Sequence, residues 1–345
     1  MRRVTLALGT RFSLTSEVLE QIQRDHNALR VVDVSADWTA VAGFRTLPPA
    51  TGQAWEEASR RLNEHIAEAE IIYCVPNLPG DLRKRAPGLK WIHFGAAGID
   101  RTLGSDILGS DILLTNSHGA LAVPIAEWVI MLMLMLVKSA RHLEEQQQQK
   151  RWERITVGDL AGKTVGILGL GHIGAATARR CKAFGVRVLA TRRSCTQRQA
   201  GDDGVADEMF PPTQIADLLP QCDFVVLALP LTPETRHVLG ERELRLLKPN
   251  AIVVNIGRGA LIDEAALVQV LRERRIGGAG LDVFETEPLP LQSALWEMPN
   301  VIVTPHMAGS TQSHDERVSA ILRENLMRYM EGKPLLNLIQ SERGY

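Results

Sequence analysis

Residues 163–174, Lys-Thr-Val-Gly-Ile-Leu-Gly-Leu-Gly-His-Ile-Gly, constrain the fold more than any other stretch of the chain. The apolar run Val165 to Leu168 has strand length and stops at Gly169. Gly169, Gly171 and Gly174 then make G-x-G-x-x-G, Ala175 to Phe184 reads as a helix closed by Gly185, and Val186 to Thr191 reads as a second strand. Each glycine has a physical reason. The first permits a tight strand-to-helix turn, the second lets backbone approach a pyrophosphate, and the third lets the helix pack close to the sheet. The helix N-terminus adds unpaired N–H groups and partial positive charge. Three glycines in a turn arise by chance, but the flanking strand, helix and second strand complete a βαβ unit. Gly169, Gly171, His172, Ile173 and Gly174 are therefore expected against the phosphates of a dinucleotide.

A chain of 345 residues is long enough for two domains with full cores. Its net charge of −1 offers no global field to hold nucleic acid or an anionic membrane. Cys74, Cys181, Cys195 and Cys222 are scattered, with no C-x-x-C and no His-rich partner, so free buried thiols in a reducing compartment are expected, and no metal site. The first apolar stretch, after Met1-Arg2-Arg3, is too short for a signal peptide. The longest apolar run, Trp128 to Val137, is about half a bilayer span. A cytoplasmic enzyme is the expectation.

Strand-like runs at Val4–Leu8, Val31–Val34, Ile71–Val75, Lys90–Phe94 and Ile112–Thr115 alternate with helical stretches at Ser16–His26, with Ser16 as cap, and Trp55–Ala69. This alternation predicts a parallel, helix-flanked sheet separate from the one beginning at Val165. Between them a single long helix is expected from about Pro124 to Trp152. Its half Ala126–Val137 is apolar nearly all round, and its end at 144–151 is polar and solvated. The second sheet continues with Asp223–Leu229, Ala251–Ile256, Ala279–Val283 and Val301–Thr304, with helices at Glu241–Leu247 and Asp263–Arg274 and a polar loop around 194–207. A last helix spans Ser313–Met330. The economical organisation is α/β with two doubly wound parallel-sheet domains. Residues 117–311 form a Rossmann nucleotide-binding domain inserted in a split, flavodoxin-like substrate domain, 1–116 and 312–345.

In an open parallel sheet, ligands bind beyond the carboxyl ends of the strands. Three strand ends of the second sheet carry Gly257-Arg258-Gly259, Phe284-Glu285-Thr286-Glu287-Pro288 and Pro305-His306-Met307-Ala308-Gly309. One cation, two carboxylates and one imidazole on one edge suit the oxidation of a 2-hydroxy acid or the reverse reduction. Hydride moves between C2 and a nicotinamide while an acid/base moves the hydroxyl proton. Histidine serves both directions, a neighbouring carboxylate orients it and favours its protonated form, and arginine can hold the substrate carboxylate. Taken singly, each is as easily a structural or solvated residue, and Glu285 and Glu287 are equivalent on this reasoning. In the first domain, Gly95-Ala96-Ala97-Gly98 follows a strand and either presents backbone N–H groups to a carboxylate or forms a plain turn.

The chain resembles the D-isomer-specific 2-hydroxyacid dehydrogenases from about residue 66 to 335. The resemblance rests on G-L-G-H-I-G at 169–174, L-P-L-T-P-E-T at 229–235, N-I-G-R-G-A-L-I-D at 255–263, G-L-D-V-F-E-T-E-P-L-P at 280–290 and T-P-H-M-A-G-S-T at 304–311. It implies catalytic roles for Arg258, Glu287 and His306, choosing Glu287 over Glu285. It implies cofactor contacts at Leu229, Pro230, Thr235, Ile256, Gly257 and Gly309, and at Asp282 for the nicotinamide carboxamide. It also implies a substrate-carboxylate site at Ala96, Ala97 and Gly98, with Arg258, a small 2-oxo or 2-hydroxy acid as partner, and a homodimer joined along the central helix. Glyoxylate and hydroxypyruvate are the first substrates it suggests. A formate dehydrogenase would carry glutamine at 287; a phosphonate-type dehydrogenase and a nucleotide-sensing corepressor with the same fold are the rival functions.

The second strand of the βαβ unit bears on the cofactor. A Rossmann fold that prefers NAD places Asp or Glu at its end; here the end reads Ala190-Thr191-Arg192-Arg193-Ser194, and no acidic residue follows before Asp202. Arg192 and Arg193, helped by the Thr191 and Ser194 hydroxyls, are expected to bind a 2′-phosphate, which favours NADP(H), with NAD as the alternative.

Overall fold

The computed structural model describes residues 4–10, 14–43, 47–75, 77–96, 106–107, 109–201 and 204–339. In chain order the elements are β1 (Val4–Leu8), α1 (Ser16–Asp25), β2 (Leu29–Asp33), α2 (Ser35–Ala42), α3 (Gly52–Ile66), β3 (Ile71–Cys74), α4 (Leu82–Arg85), β4 (Trp91–Phe94) and β5 (Leu113–Asn116). Then follow α5 (Ala122–Val137), α6 (Ala140–Gln148), β6 (Thr164–Leu168), α7 (His172–Ala183), β7 (Arg187–Thr191), β8 (Gln199–Ala200), β9 (Glu208–Phe210), α8 (Ile215–Leu218), β10 (Phe224–Leu227), α9 (Glu241–Leu246), β11 (Ile252–Asn255), α10 (Glu264–Arg272), β12 (Gly278–Leu281), β13 (Val301–Val303) and α11 (His314–Met330). Two compact units result, Met1–Ala120 with Thr311–Tyr345, and Leu121–Ser310.

The first unit holds a five-stranded sheet of order β2-β1-β3-β4-β5, parallel throughout, which is the flavodoxin-like order. Its strands are apolar on both faces because helices cover both. One face packs Trp38, Leu62 and Ile66 from α2 and α3; the other packs Leu322 and Leu326 from α11. Helix α1 is capped by Thr15, not Ser16, because the Thr15 hydroxyl accepts from Val18 N–H at 3.3 Å. Across β4 and β5 runs a buried polar chain: Trp91 Nε1 donates to Thr115 Oγ1 at 2.8 Å, and His93 meets Thr115 Oγ1 through Nδ1 at 2.7 Å and Ser117 Oγ through Nε2 at 3.2 Å. Burial pushes the His93 imidazole down to about 3, so it is neutral.

The second unit holds an eight-stranded sheet, β13-β12-β11-β10-β6-β7-β9-β8, in which only β8 runs antiparallel to its neighbour. The stretch from β9 to β12 reproduces the doubly wound dinucleotide order, with its reversal between β6 and β10. The polar segment 194–207 is thus not all loop: it contains β8 and leads into β9, where Glu208 pairs with Arg187 and Arg198.

The long helix expected from 124 to 152 is two helices, α5 and α6, bent by 64°. No Gly or Pro marks the break. Ser139 takes a left-handed conformation (φ 53°) and ends α5, and Lys138 is drawn aside to the Gly158 carbonyl and Asp159, each at 2.7 Å. Arg151 and Trp152 lie beyond α6, and Trp152 is 98% exposed. Ala126, Val129, Ile130, Leu132 and Met133 of α5 are buried, while Met131, Leu134, Met135 and Leu136 keep partial exposure. Among the described residues no single helix is long and apolar enough to cross a membrane, although α5 and α6 pass that test by length and composition as a bent pair. All four cysteines are free and buried.

Candidate active site

The glycine loop lies where β6 gives way to α7. Helix α7 begins at His172, three residues earlier than the apolar pattern suggests, so Gly171 caps it and Gly174 falls inside it. Gly169 has φ 100°, the left-handed region that favours glycine. A Cβ on Gly174 would stand 2.1 Å from the Gly169 carbonyl oxygen, so this position admits no side chain. On Gly171 a Cβ would meet nothing within 4 Å. The space a side chain would fill there is the space a pyrophosphate needs, facing the N–H groups that open α7. The residues present therefore fit a dinucleotide. Its nicotinamide, when bound, supplies or accepts a hydride.

At the end of β7 the hydroxyl of Thr191 accepts from Gly169 N–H at 3.1 Å, and its carbonyl accepts from Leu170 N–H at 2.8 Å. Thr191 is 1% exposed, so it holds the turn and does not face a 2′-phosphate as the sequence suggested. Arg192, Arg193 and Ser194 are exposed beyond it. One carboxylate not foreseen from the local sequence lies near: Glu234, held below the usual carboxylate range by the Thr232 hydroxyl and its own backbone N–H, feels the charge of Arg193. Among these cations Arg198 is committed to Glu208 and lies over the Phe210 ring.

Three strand ends carry the charged residues. After β11, Asn255 closes an Asx turn, accepting from Gly257 N–H at 3.1 Å and donating to the Arg258 carbonyl at 2.9 Å. Arg258 Nη1 donates to the Gly257 carbonyl at 2.9 Å. After β12, Asp282 is 1% exposed. Its Oδ1 accepts from the Thr304 hydroxyl at 2.6 Å and Met307 N–H at 3.0 Å, and its Oδ2 from Ala308 N–H at 2.8 Å. That carboxylate clamps the segment after β13, in which His306 adopts φ 52° and its N–H donates to the Asp282 carbonyl at 2.8 Å.

Of the two carboxylates in 284–288, Glu287 meets the imidazole: its Oε2 lies 2.8 Å from His306 Nδ1, while its Oε1 accepts from Phe284 N–H at 3.1 Å. Partial burial pushes the Glu287 carboxyl up. The hydrogen bonds from His306 and Phe284 and the charges of His306 and Arg258 outweigh it, so the group sits below the usual carboxylate range and is ionised at neutral pH. With Nδ1 engaged by Glu287, the Nε2 side of the half-exposed ring is the one open to exchange a proton with a ligand. Glu285 turns to His237 instead, at 2.7 Å.

Leu229 and Pro230 follow β10, and Ile256 and Gly257 follow β11, on the same carboxyl edge. Thr235 is used within its own loop, its hydroxyl donating to the Pro230 carbonyl at 2.7 Å and accepting from Thr232 N–H at 2.7 Å. At Gly309 a Cβ would meet Leu121 at 3.0 Å, which gives this glycine a packing reason. In the first unit Ala96 follows β4, and its carbonyl accepts from Ser117 N–H at 3.4 Å; Ala97 and Gly98 lie outside the described residues. Among the described residues no group of three His, Cys, Asp or Glu is placed to hold a metal ion. Sequence reasoning missed His237, Glu264 and Thr304. His237 sits two residues past the L-P-L-T-P-E-T stretch, which is the one local hint to it.

Comparison with known proteins agrees with this geometry. The family model for the NAD-binding domain of the D-isomer-specific 2-hydroxyacid dehydrogenases matches residues 130–308. A glyoxylate reductase of Thermococcus gammatolerans is 35% identical over 284 residues, covering 80% of this chain and 83% of its own. The crystal structure of a D-isomer-specific 2-hydroxyacid dehydrogenase from Xanthobacter autotrophicus, in complex with NADPH and MES, superposes with a TM-score of 0.80 at 30% identity over the whole of both chains. An NADPH-dependent glyoxylate/hydroxypyruvate reductase from Sinorhizobium meliloti, in complex with NADP and sulfate, does so with a TM-score of 0.77 at 29% identity, again over both chains entirely. With the two doubly wound sheets and the Arg258, Glu287 and His306 edge, these likenesses make the chain an enzyme of the D-isomer-specific 2-hydroxyacid dehydrogenase family.

Proposed function

We propose that the enzyme reduces a small 2-oxo acid to its D-2-hydroxy acid, with NADPH as the preferred reductant. The observation that carries this reading is the Glu287–His306 pair, 2.8 Å apart on the carboxyl edge of the sheet that bears the glycine loop. His306 gives its Nε2 proton to the oxygen at C2 as that carbon is reduced, and recovers it in the reverse direction. Glu287, ionised, fixes the ring through Nδ1 and stabilises the imidazolium. Arg258 holds the substrate carboxylate and polarises the C2 oxygen. The small-residue loop Ala96, Ala97 and Gly98 is a further candidate for a substrate carboxylate, and Asp282 acts by clamping the His306 segment, its two oxygens being taken by Thr304, Met307 and Ala308. Gly169, Gly171, His172, Ile173 and Gly174 bind the pyrophosphate, with Leu229, Pro230, Thr235, Ile256, Gly257 and Gly309 lining the dinucleotide's path.

The NADPH preference is supported by Arg192, exposed where an NAD-preferring fold would carry a carboxylate. Arg193 shares its charge with Glu234, which makes Arg192 the principal ligand of a 2′-phosphate. That two relatives crystallised with NADP or NADPH points the same way. Glyoxylate and hydroxypyruvate are the first substrates to try, since curated relatives are glyoxylate reductases. The partly exposed apolar side chains of α5 and the bare Trp152 support a homodimer, and four reduced, buried thiols suit the cytoplasm.

The test is NADPH oxidation with a panel of 2-oxo acids, followed by kcat/KM for NADPH and NADH in wild type and Arg192→Asp. Turnover with preference for NADPH, lost or reversed in Arg192→Asp, is the expected result. Cofactor binding without turnover would favour a nucleotide sensor, and a wild-type preference for NADH would refute the role given to Arg192.

A further inference from the structure

Behind the Arg258–Glu287–His306 group stands a second histidine–carboxylate pair, His237 Nε2 with Glu285 Oε1 at 2.7 Å. Each partner is anchored on its own side. His237 N–H donates to the Ala260 carbonyl at 2.8 Å, and Leu239 N–H to the Leu261 carbonyl at 3.2 Å, so residues 237–239 run alongside the segment that follows Arg258. Glu285 N–H donates to Glu264 Oε2 at 3.2 Å, which ties the Glu287 turn to the first turn of α10. Between the two anchors Gly259 packs so closely on the Phe284 peptide that a Cβ would fall 1.8 Å from its carbonyl carbon. Gly259 follows Arg258, and Phe284 N–H binds Glu287. The His237–Glu285 pair therefore spans the same contact that fixes the Arg258 backbone against the Glu287 turn. His237 itself is held in a left-handed conformation, φ 50°, sparsely populated outside glycine.

We propose that His237 and Glu285 are positioning residues that brace the Arg258 segment against the Glu287 turn and keep the guanidinium and the carboxylate in register. The proposal rests on the roles given above to Arg258 and Glu287. The His237 and Glu285 side chains keep 40% and 37% exposure, so the pair adds little to global stability. Catalytic geometry, by contrast, tolerates only about half an ångström of displacement. The brace should therefore be visible in rate and not in folding.

The experiment measures kcat and KM with glyoxylate and NADPH, NADPH affinity by fluorescence titration, and the thermal midpoint. The variants are His237→Ala, Glu285→Ala, their double variant and Glu285→Gln. Each alanine variant should lose about ten-fold in kcat, with NADPH affinity and thermal midpoint unchanged. The double variant should be no slower than the slower single, because both changes remove one brace. Glu285→Gln keeps an acceptor for His237 and should recover most of the rate. If an alanine variant does not fold, Glu285→Leu, which keeps the volume without the acceptor, takes its place with the same expectation. Wild-type kcat in the alanine variants, losses that multiply in the double, or a Gln variant as slow as Ala would each overturn the brace. Arg258→Lys and Glu287→Gln run in parallel. Impairment of these two alone means that the brace is wrong and the site right, whereas wild-type kcat in both means that the site itself was misassigned, and the brace falls with it.

Discussion

Asp282→Asn isolates what one buried carboxylate does for the His306 segment. Both oxygens of Asp282 accept, Oδ1 from the Thr304 hydroxyl and Met307 N–H and Oδ2 from Ala308 N–H, at 2.6, 3.0 and 2.8 Å. In asparagine one oxygen becomes an NH2 donor. The least costly arrangement keeps the oxygen at the Oδ1 position and sets NH2 against Ala308 N–H, donor to donor. A hydrogen bond to a charged group contributes about 1.5–3 kcal/mol, and a buried N–H left unsatisfied costs about 1–3 kcal/mol. The two retained bonds also lose their charge assistance. Together these place the loss at about 2.5–6 kcal/mol. His306 sits at φ 52°, a conformation that persists only while its surroundings enforce it, at a cost of about 1–3 kcal/mol. A slack clamp lets 304–308 relax and carries the imidazole off its line. Urea unfolding should show the lost stability, and NADPH-dependent reduction should lose about a hundred-fold in kcat. Wild-type unfolding free energy together with wild-type kcat in Asp282→Asn would refute this account of the clamp.

The two inner glycines should separate binding from folding. Gly171→Ala should keep the wild-type thermal midpoint but weaken NADPH affinity at least ten-fold in a fluorescence titration, whereas Gly174→Ala, whose Cβ would meet the Gly169 carbonyl oxygen at 2.1 Å, should lose about 1–3 kcal/mol of stability. A buried His93 at about 3, against an ordinary 6.5, means that the unfolded chain takes up a proton the folded one refuses, so stability falls as pH drops from 6.5 toward 3. Urea titrations at pH 7, 6 and 5 should show a slope up to about 1.4 kcal/mol per pH unit smaller in His93→Gln; equal slopes would contradict the burial argument. For Glu287, held below its ordinary range, the stabilising pair with His306 is present above the unfolded value and lost as pH falls through the lower folded one. The acid side of the reduction profile should therefore hold down through the ordinary carboxylate range, and a limb at pH 5 to 6 that disappears in Glu287→Gln would show that this carboxylate titrates higher.

Fold class was legible because parallel strands buried on both faces read as unbroken apolar runs, such as Val225–Leu227 and Val253–Val254, punctuated by glycine turns. That Arg258, Glu287 and His306 share one edge was legible too, since residues just past successive parallel strands must share one side of the sheet. Contacts that join distant segments were not. Nothing local in Thr191 tells that its hydroxyl closes on Gly169 N–H, nor does the 192–201 sequence reveal Glu234 from another loop. The break at Ser139 escaped notice because a left-handed serine leaves no glycine or proline to mark it. His237 and Glu285 lie 48 positions apart, and only the topology that brings the ends of β10 and β12 beside β11 makes them neighbours.

Thr191 divides two duties that adjoin in the sequence. Facing inward, it completes the turn of the first glycine; from Arg192 onward the chain faces out and carries the charge proposed above to meet the ribose end of a dinucleotide. The two can therefore be inherited independently. A lineage could trade one cofactor for the other by rewriting residues 192–194 as a cassette, leaving the hinge at 191 and the glycine loop untouched. An engineer who instead installed the acidic residue one place earlier, as Thr191→Asp, would bury a carboxylate and unseat the turn on which either cofactor depends.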